Sequence, residues 1–255
     1  MSSSSVSVLK TLFIVLDCLI VSSVIYTLAT DGFPFRRELL TPWMVATLVD
    51  FYIDIIPIAV WVAYKEQSWI SAVFWIILLL CLGSITTCTY IIFQLFKLSP
   101  QQMQDPFYHI LLRSDSRTVN QKKRNFSLVV AGRILFTALG CLMLATLLYT
   151  LLSDGSPFRR ELLTPWLVAT LVDFYINIVA IAVWITYKEA SWISAFFWIL
   201  LLVCFGSITT CTYIVIQLFK LSSQEPLYKV LLNSSSRLPD TKMSSNAGVP
   251  YQSLS

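Results

Sequence analysis

The sequence predicts an all-α polytopic membrane protein of about six transmembrane helices, built as two three-helix repeats. Three observations predict it. Hydrophobic residues make up 56% of the 255-residue chain and charged residues only 13%, against roughly 25% charged in a typical soluble domain. Apolar runs long enough to cross ~30 Å of hydrocarbon recur along the chain. One block also occurs twice: Asp31 to Leu98 returns as Asp154 to Leu221 at an offset of 123, differing at 14 of 68 positions.

The elements follow in order. A Ser-rich lead, Met1 to Ser7, precedes an apolar run from Val8 to Thr30 that is interrupted by Asp17. Its length and weak basic flank argue against a cleaved leader. So does its internal counterpart, Val130 to Leu152, which matches Lys10 with Arg133, Cys18 with Cys141 and Tyr26 with Tyr149. Asp31-Gly32 reads as a turn. Thr41-Pro42 reads as a helix start, Thr capping free N–H groups and Pro fitting the first helical position. Trp43 stands where an interfacial aromatic belongs. The second span runs to about Tyr64 and ends at Lys65-Glu66. Ser68 is the expected cap of a third span, Trp69 to Phe96, which at about 28 residues must tilt, bend or protrude. Its centre, Gly83 to Tyr90, returns unchanged as Gly206 to Tyr213.

This divides the chain into a first repeat (1–98), a basic linker (99–127), a second repeat (128–221) and a C-terminal tail (222–255). Within the linker, Asp105 to Leu112 reads as a short surface helix, recurring as Glu225 to Leu232. The Ser-rich tail from Asn233 has the composition of a disordered segment.

Three spans per repeat carry the chain from one side to the other, so the second copy is expected to enter from the opposite face as an inverted repeat. On that arrangement the linker side holds ten basic residues and the other side eight. The positive-inside rule then leans towards a cytoplasmic linker with both termini outside. Asn125-Phe126-Ser127 and Asn233-Ser234-Ser235 are glycosylation sequons that would fall on opposite sides. Tyr251 to Leu254 resembles a tyrosine-type sorting signal.

Asp50 with Trp61, Glu66, Trp69 and Gly83-Ser84, in the block Asp50 to Lys97, resembles a plant family of multi-pass membrane proteins of unknown function (domain-of-unknown-function family 1475) over nearly the whole chain. The single unit is also similar to short bacterial three-span proteins. The resemblance implies duplication of a three-span ancestor. It brings no activity, substrate or cofactor with it.

Thr47, Asp50, Asp54 and Pro57 share one face of the second span. Asp50 lies eight residues past Pro42, roughly 12 Å deep at 1.5 Å per residue, near the midplane, and Asp173 is its twin. A carboxylate there must be buried against polar groups, line water or be protonated. The candidate ion or substrate site is therefore Thr47, Asp50 and Asp54 with Thr170, Asp173 and Asn177. The face diverges between copies: Asp54 becomes Asn177, Pro57 becomes Ala180 and Asp17 becomes Gly140. Gly83, Thr87 and Tyr90, with Gln94 and the twins Gly206, Thr210 and Tyr213, form a second polar face, suited to close helix packing or to lining a pocket. Glu66 and Glu189, beside Lys65 and Lys188, read as solvated pairs. Arg36-Arg37-Glu38 reads as an anchor or a contact for lipid phosphate.

Two functions stay open. One is a small cation- or proton-linked transporter using midplane aspartates. The other is a non-catalytic membrane scaffold or assembly partner using the same residues for packing. No enzyme, metal or cofactor is expected. There is no H-E-x-x-H, no nucleophile beside a base and no phosphate loop, and the single histidine, His109, lies in a loop. The six cysteines lie in apolar runs without a C-x-x-C, with Cys81 and Cys88 spaced to share a helix face. No basic stripe points to nucleic acid. The expected partners are the lipid bilayer and a second copy of the chain.

Overall fold

The computed structural model describes residues 3–34, 36–99, 106–112, 122–221 and 230–231. The described elements are helical: α1 (Ser3–Asp31), α2 (Pro42–Lys65), α3 (Trp69–Leu82), α4 (Ser84–Phe96), α5 (Pro106–Leu111), α6 (Lys122–Asp154), α7 (Pro165–Lys188), α8 (Trp192–Phe205) and α9 (Ser207–Lys220), with single 3-10 turns at Arg37–Leu39 and Arg160–Leu162. Four helices are long and apolar enough to cross a membrane: Val6–Asp31, Pro42–Lys65, Ser127–Asp154 and Pro165–Lys188. The chain thus has the make-up of a multi-pass membrane protein.

Local chemistry sets several boundaries. The Thr41 hydroxyl accepts from Met44 N–H and the Thr164 hydroxyl from Leu167 N–H, both at 3.2 Å, with Pro42 and Pro165 following. These caps satisfy donors that a helix start otherwise leaves free. Ser68 precedes α3 but its side chain makes no capping bond.

The third apolar segment of each repeat corrects the sequence reading. It is not one 28-residue span. Gly83 adopts φ 56° and ψ −127°, and the chain reverses there. Tyr90 in α4 donates to Glu66, the residue just past α2, at 2.8 Å. Along a continuous helix those residues would stand about 36 Å apart. Trp75 of α3 packs edge-on against Tyr90 of α4, with centroids 5.0 Å apart, and the Thr86 hydroxyl donates to the Leu78 carbonyl. α3 and α4 are therefore an antiparallel hairpin, as are α8 and α9 about Gly206. Helices of 13 and 14 residues reach only about 20 Å, short of a hydrocarbon core. Cys81 and Cys88 consequently lie on different helices; all six cysteines are free thiols.

A hairpin returns the chain to the end it left, so each repeat begins and finishes at the same end of the bundle. The repeats are parallel, not inverted. α2 and α7 run side by side in one direction. Their first turns meet through Met44, Trp166 and Leu167, and their middles through Phe51, Ile55 and Ile58 against Phe174, Ile178 and Ile181. Trp166 at the start of α7 donates its indole N–H to the Gly32 carbonyl at the end of α1. In an inverted pair these residues would stand at opposite ends. Trp166 and its twin Trp43 are buried in that junction, so neither is a free interfacial anchor.

The repeats interlock. α1 packs on α4 of its own repeat and on α7 of the other, and α6 packs on α9 and α2. α5, the helix expected in the linker, lies against one end of the bundle. Lys65 at the end of α2 donates to the carbonyls of His109 and Leu112, and Phe107 stacks on Tyr187 at the end of α7, with centroids 4.6 Å apart. We call this the linker end. Most of its counterpart, Glu225 to Leu232, lies outside the described residues, as do Asn233, Tyr251 and the side chain of Asn125.

Candidate functional site

Each hairpin needs a tip that turns sharply and a cap for the helix that leaves it. Glycine supplies the turn. Gly83 and Gly206 take positive φ with ψ near −127°, a conformation open essentially to glycine alone. Space demands glycine as well. A Cβ at Gly206 would lie 2.6 Å from Asp50 Oδ2 and 2.7 Å from Phe174 Cζ; one at Gly83 would lie 2.7 Å from Phe51 Cζ and 2.9 Å from Asp173 Oδ1. Each tip is pinched between a phenylalanine of its own repeat and an aspartate of the other.

The aspartate is the cap. Gly83 and Gly206 have no side chain with which to cap α4 or α9. Asp173 of the second repeat accepts the Ser84 N–H at 2.7 Å. Asp50 of the first accepts the Ser207 N–H at 2.9 Å and, by a short bond, the Ser207 hydroxyl. A carboxylate at a helix N-terminus meets both unsatisfied N–H groups and the positive end of the helix dipole. These two acids thus answer the two free helix ends and cross-link the repeats. Asp50 and Asp173 each meet the opposite hairpin tip.

Beneath each tip, α4 and α9 turn their polar faces inward. Thr87 donates to Asn177 Oδ1 at 2.8 Å, and both residues are buried. The corresponding place in the other half pairs Thr210 with Asp54. Asp54 is fully buried, and neither carboxylate oxygen has a hydrogen-bond partner of good geometry, although the Thr210 side chain faces it. Thr210 leans instead on the Gly206 carbonyl at 3.5 Å. Thr47 and Thr170 do not join the site: each hydroxyl turns back onto its own helix, to the Trp43 and Trp166 carbonyls at 2.9 Å.

At the base of each hairpin a glutamate forms a clasp. Glu66 accepts from Tyr90 at 2.8 Å, Ser71 at 2.7 Å and Gln94 at 3.4 Å. Glu189 accepts from Tyr213 at 2.7 Å, Ser194 at 2.7 Å and Gln217 at 3.4 Å. These glutamates are therefore hairpin locks and not solvated partners of the neighbouring lysines. Sequence reasoning missed this role. The available signal was a lone Glu ahead of a span that was too long and had Gly-Ser at its centre. Arg36 and Arg159 are engaged too, in ion pairs with Asp31 at 2.6 Å and Asp154 at 2.8 Å.

Between the clasps and the tips lies a cavity of about 650 Å³ shared by both repeats. Thr87 and Thr210 stand at its deep end and α5 at its linker end; Ile58, Trp61, Ile181 and Trp184 form much of its wall. Among the described residues, no group of three or more His, Cys, Asp or Glu could hold a metal ion.

The chain belongs to the family described as "Protein of unknown function (DUF1475)", whose profile matches it twice, over residues 1–118 and 116–238. The two matches are the two repeats in tandem. No curated protein and no solved structure matches the chain.

Proposed function

We propose that the chain is a non-catalytic membrane scaffold or assembly partner, with four spans and two re-entrant hairpins, in which Asp50 and Asp173 lock the two repeats together. One observation carries the reading: each of these acids caps the hairpin helix of the opposite repeat. A carboxylate committed to the donors of a helix end is poorly placed to exchange a cation. The charge distribution supports the membrane orientation. Among the described residues, only Arg36, Arg37, Arg159 and Arg160 lie in the loops between α1 and α2 and between α6 and α7; the other nine basic residues belong to helices or helix ends on the linker side. A nine-to-four bias supports a cytoplasmic linker end under the positive-inside rule. Both sequons then face the cytoplasm and stay unmodified.

The test is reconstitution. Wild type, Asp50→Asn and Asp173→Asn go into liposomes under a pH gradient and a K⁺ or Na⁺ gradient. The scaffold reading expects flux at the level of empty liposomes for all three, with both variants melting below wild type in detergent. A gradient-dependent flux in wild type that either variant abolishes while still folded would sink it. The second reading, proton- or cation-linked transport, is favoured by Asp54, a fully buried acid one helical turn from Asp50. Flux that survives Asp50→Asn but disappears in Asp54→Asn would select it.

A further inference from the structure

We propose that the cavity between the repeats binds one acyl chain of an anionic membrane phospholipid, tail inward towards Thr87 and Thr210 and headgroup at the linker end. The volume, about 650 Å³, is within the range of small-molecule sites, ~300–1,000 Å³, and roughly four times that of an engineered apolar cavity that stays dry and takes up benzene. Water has few partners there. The polar groups at the deep end are two threonine hydroxyls, and each is directed within the protein, Thr87 to Asn177 and Thr210 to the Gly206 carbonyl. A polar head inserted first would lose its own hydration for nothing, whereas a methyl-terminated chain loses none.

Shape sets the same direction. On α4 the lining runs from Thr87 through Ile91 to Leu95, about 12 Å along the helix axis, and on α2 from Pro57 to Tyr64. The cavity is a slot that begins near the hairpin tips and reaches the linker end, where Phe107, Ile110 and Leu111 of α5 bound it. Charge selects the head. The linker end carries the basic residues, including Lys10, Lys97 and Arg133, each of which reaches over a phenylalanine ring there. A juxtamembrane cluster of this sign attracts anionic lipid heads. The clamp at the tips and the slot below it are separate features, so failure of one leaves the other standing.

The full chain, purified in mild detergent, is extracted and its lipid identified by mass spectrometry. About one phospholipid per chain is expected, at least 10-fold enriched in anionic over zwitterionic heads relative to the source membrane. Delipidated protein should then melt higher in micelles doped with phosphatidylglycerol than in micelles doped with phosphatidylcholine. Ala180→Phe fills the slot from the wall and should lower bound lipid at least 10-fold while still folding, its melting temperature no longer rising with added phosphatidylglycerol; Ala131→Leu is the milder variant if the first does not fold. Unchanged lipid in a folded slot-filling variant, equal retention of both head types, or lipid uptake that appears only after deletion of residues 233–255 would overturn the proposal, the last by making the tail the native occupant.

Discussion

The two repeats are close to copies in sequence, yet they differ where their polar faces meet. In the first repeat's hairpin, Thr87 has a neutral partner, Asn177, and a hydrogen bond at 2.8 Å. In the second, Thr210 faces an acid, Asp54, and that acid has no well-formed bond. The glutamate clasps below match bond for bond, and the tips above share the glycine turn and the aspartate cap, though only Ser207 adds its hydroxyl to the cap. The comparison separates what both halves require for folding from what only one half carries. The turn at glycine, the trans-repeat aspartate cap and the Tyr–Glu clasp occur twice, and each answers a physical need of a hairpin in an apolar surround. The acid at position 54 answers no such need.

The tips should be the most sensitive test of the shared part. Gly83→Ala and Gly206→Ala combine a backbone conformation closed to alanine with a Cβ driven into Phe51 or Phe174 and the facing aspartate. Strain and overpacking together should cost on the order of 3 kcal/mol or more for either variant. Thermal unfolding in detergent reads this out directly. If either alanine variant melts within a degree or two of wild type, the hairpin turn is wrong.

The caps come next. Asp50→Ala and Asp173→Ala each leave a helix N-terminus without its acceptor, at a cost of about 1.5–3 kcal/mol for a bond to a charged group. Asparagine keeps an acceptor but loses the charge, so Asp50→Asn and Asp173→Asn should show roughly half of that loss. Because each aspartate serves the opposite repeat, the double variant Asp50→Ala/Ser207→Ala should show coupling between its two sites. Asp50→Ala with Ser84→Ala should be additive. Coupling in the second pair instead of the first would overturn the trans-repeat connection.

The long helices, the Thr41 cap, the duplication and the carboxylates inside the second helix of each repeat are legible in the sequence, because each is written in local residue pattern. The hairpin is not. A 28-residue apolar run has the same composition whether it crosses or folds back. What folds it back is the Tyr90 bond to Glu66 and the Asp173 bond to Ser84, and those partners lie 24 and 89 residues away. Read as a crossing, that run changes the parity of each repeat and turns parallel copies into inverted ones. It also scatters the basic residues ten to eight, whereas folding the segment back gathers nine of the thirteen described ones at one end. That near-even split was the warning, since a membrane protein with a fixed orientation ordinarily shows a clearer bias. Depth singles out Asp50 and Asp173 in the sequence, but their partners cannot be named without the tip that each one meets.

The clasps should behave as true equivalents. Tyr90→Phe and Tyr213→Phe remove the same hydroxyl from the same carboxylate, at 2.8 and 2.7 Å. Each should cost about 1.5 kcal/mol, and the two melting shifts should agree within error. A clear difference between them would show that the ends of the repeats are less alike than their bond lengths.

The smallest effect should appear at the one place where the halves diverge, and its sign is what matters. Asp54 is fully buried, its oxygens lack well-formed bonds, and Asp50 stands one turn away on the same helix face. A second acid there adds desolvation cost and like-charge repulsion without a compensating partner. Asp54→Asn makes the first repeat match the second, where Asn177 Oδ1 takes the threonine hydroxyl. It should therefore raise stability, by about 1 kcal/mol. The reciprocal Asn177→Asp should lower it, and the double exchange should return close to wild type. A protein that carries a destabilising buried acid in one half only, and becomes more stable without it, holds that acid for something other than packing. A lower melting temperature for Asp54→Asn would place Asp54 among the residues that hold the repeats together and remove the main support for the transport reading.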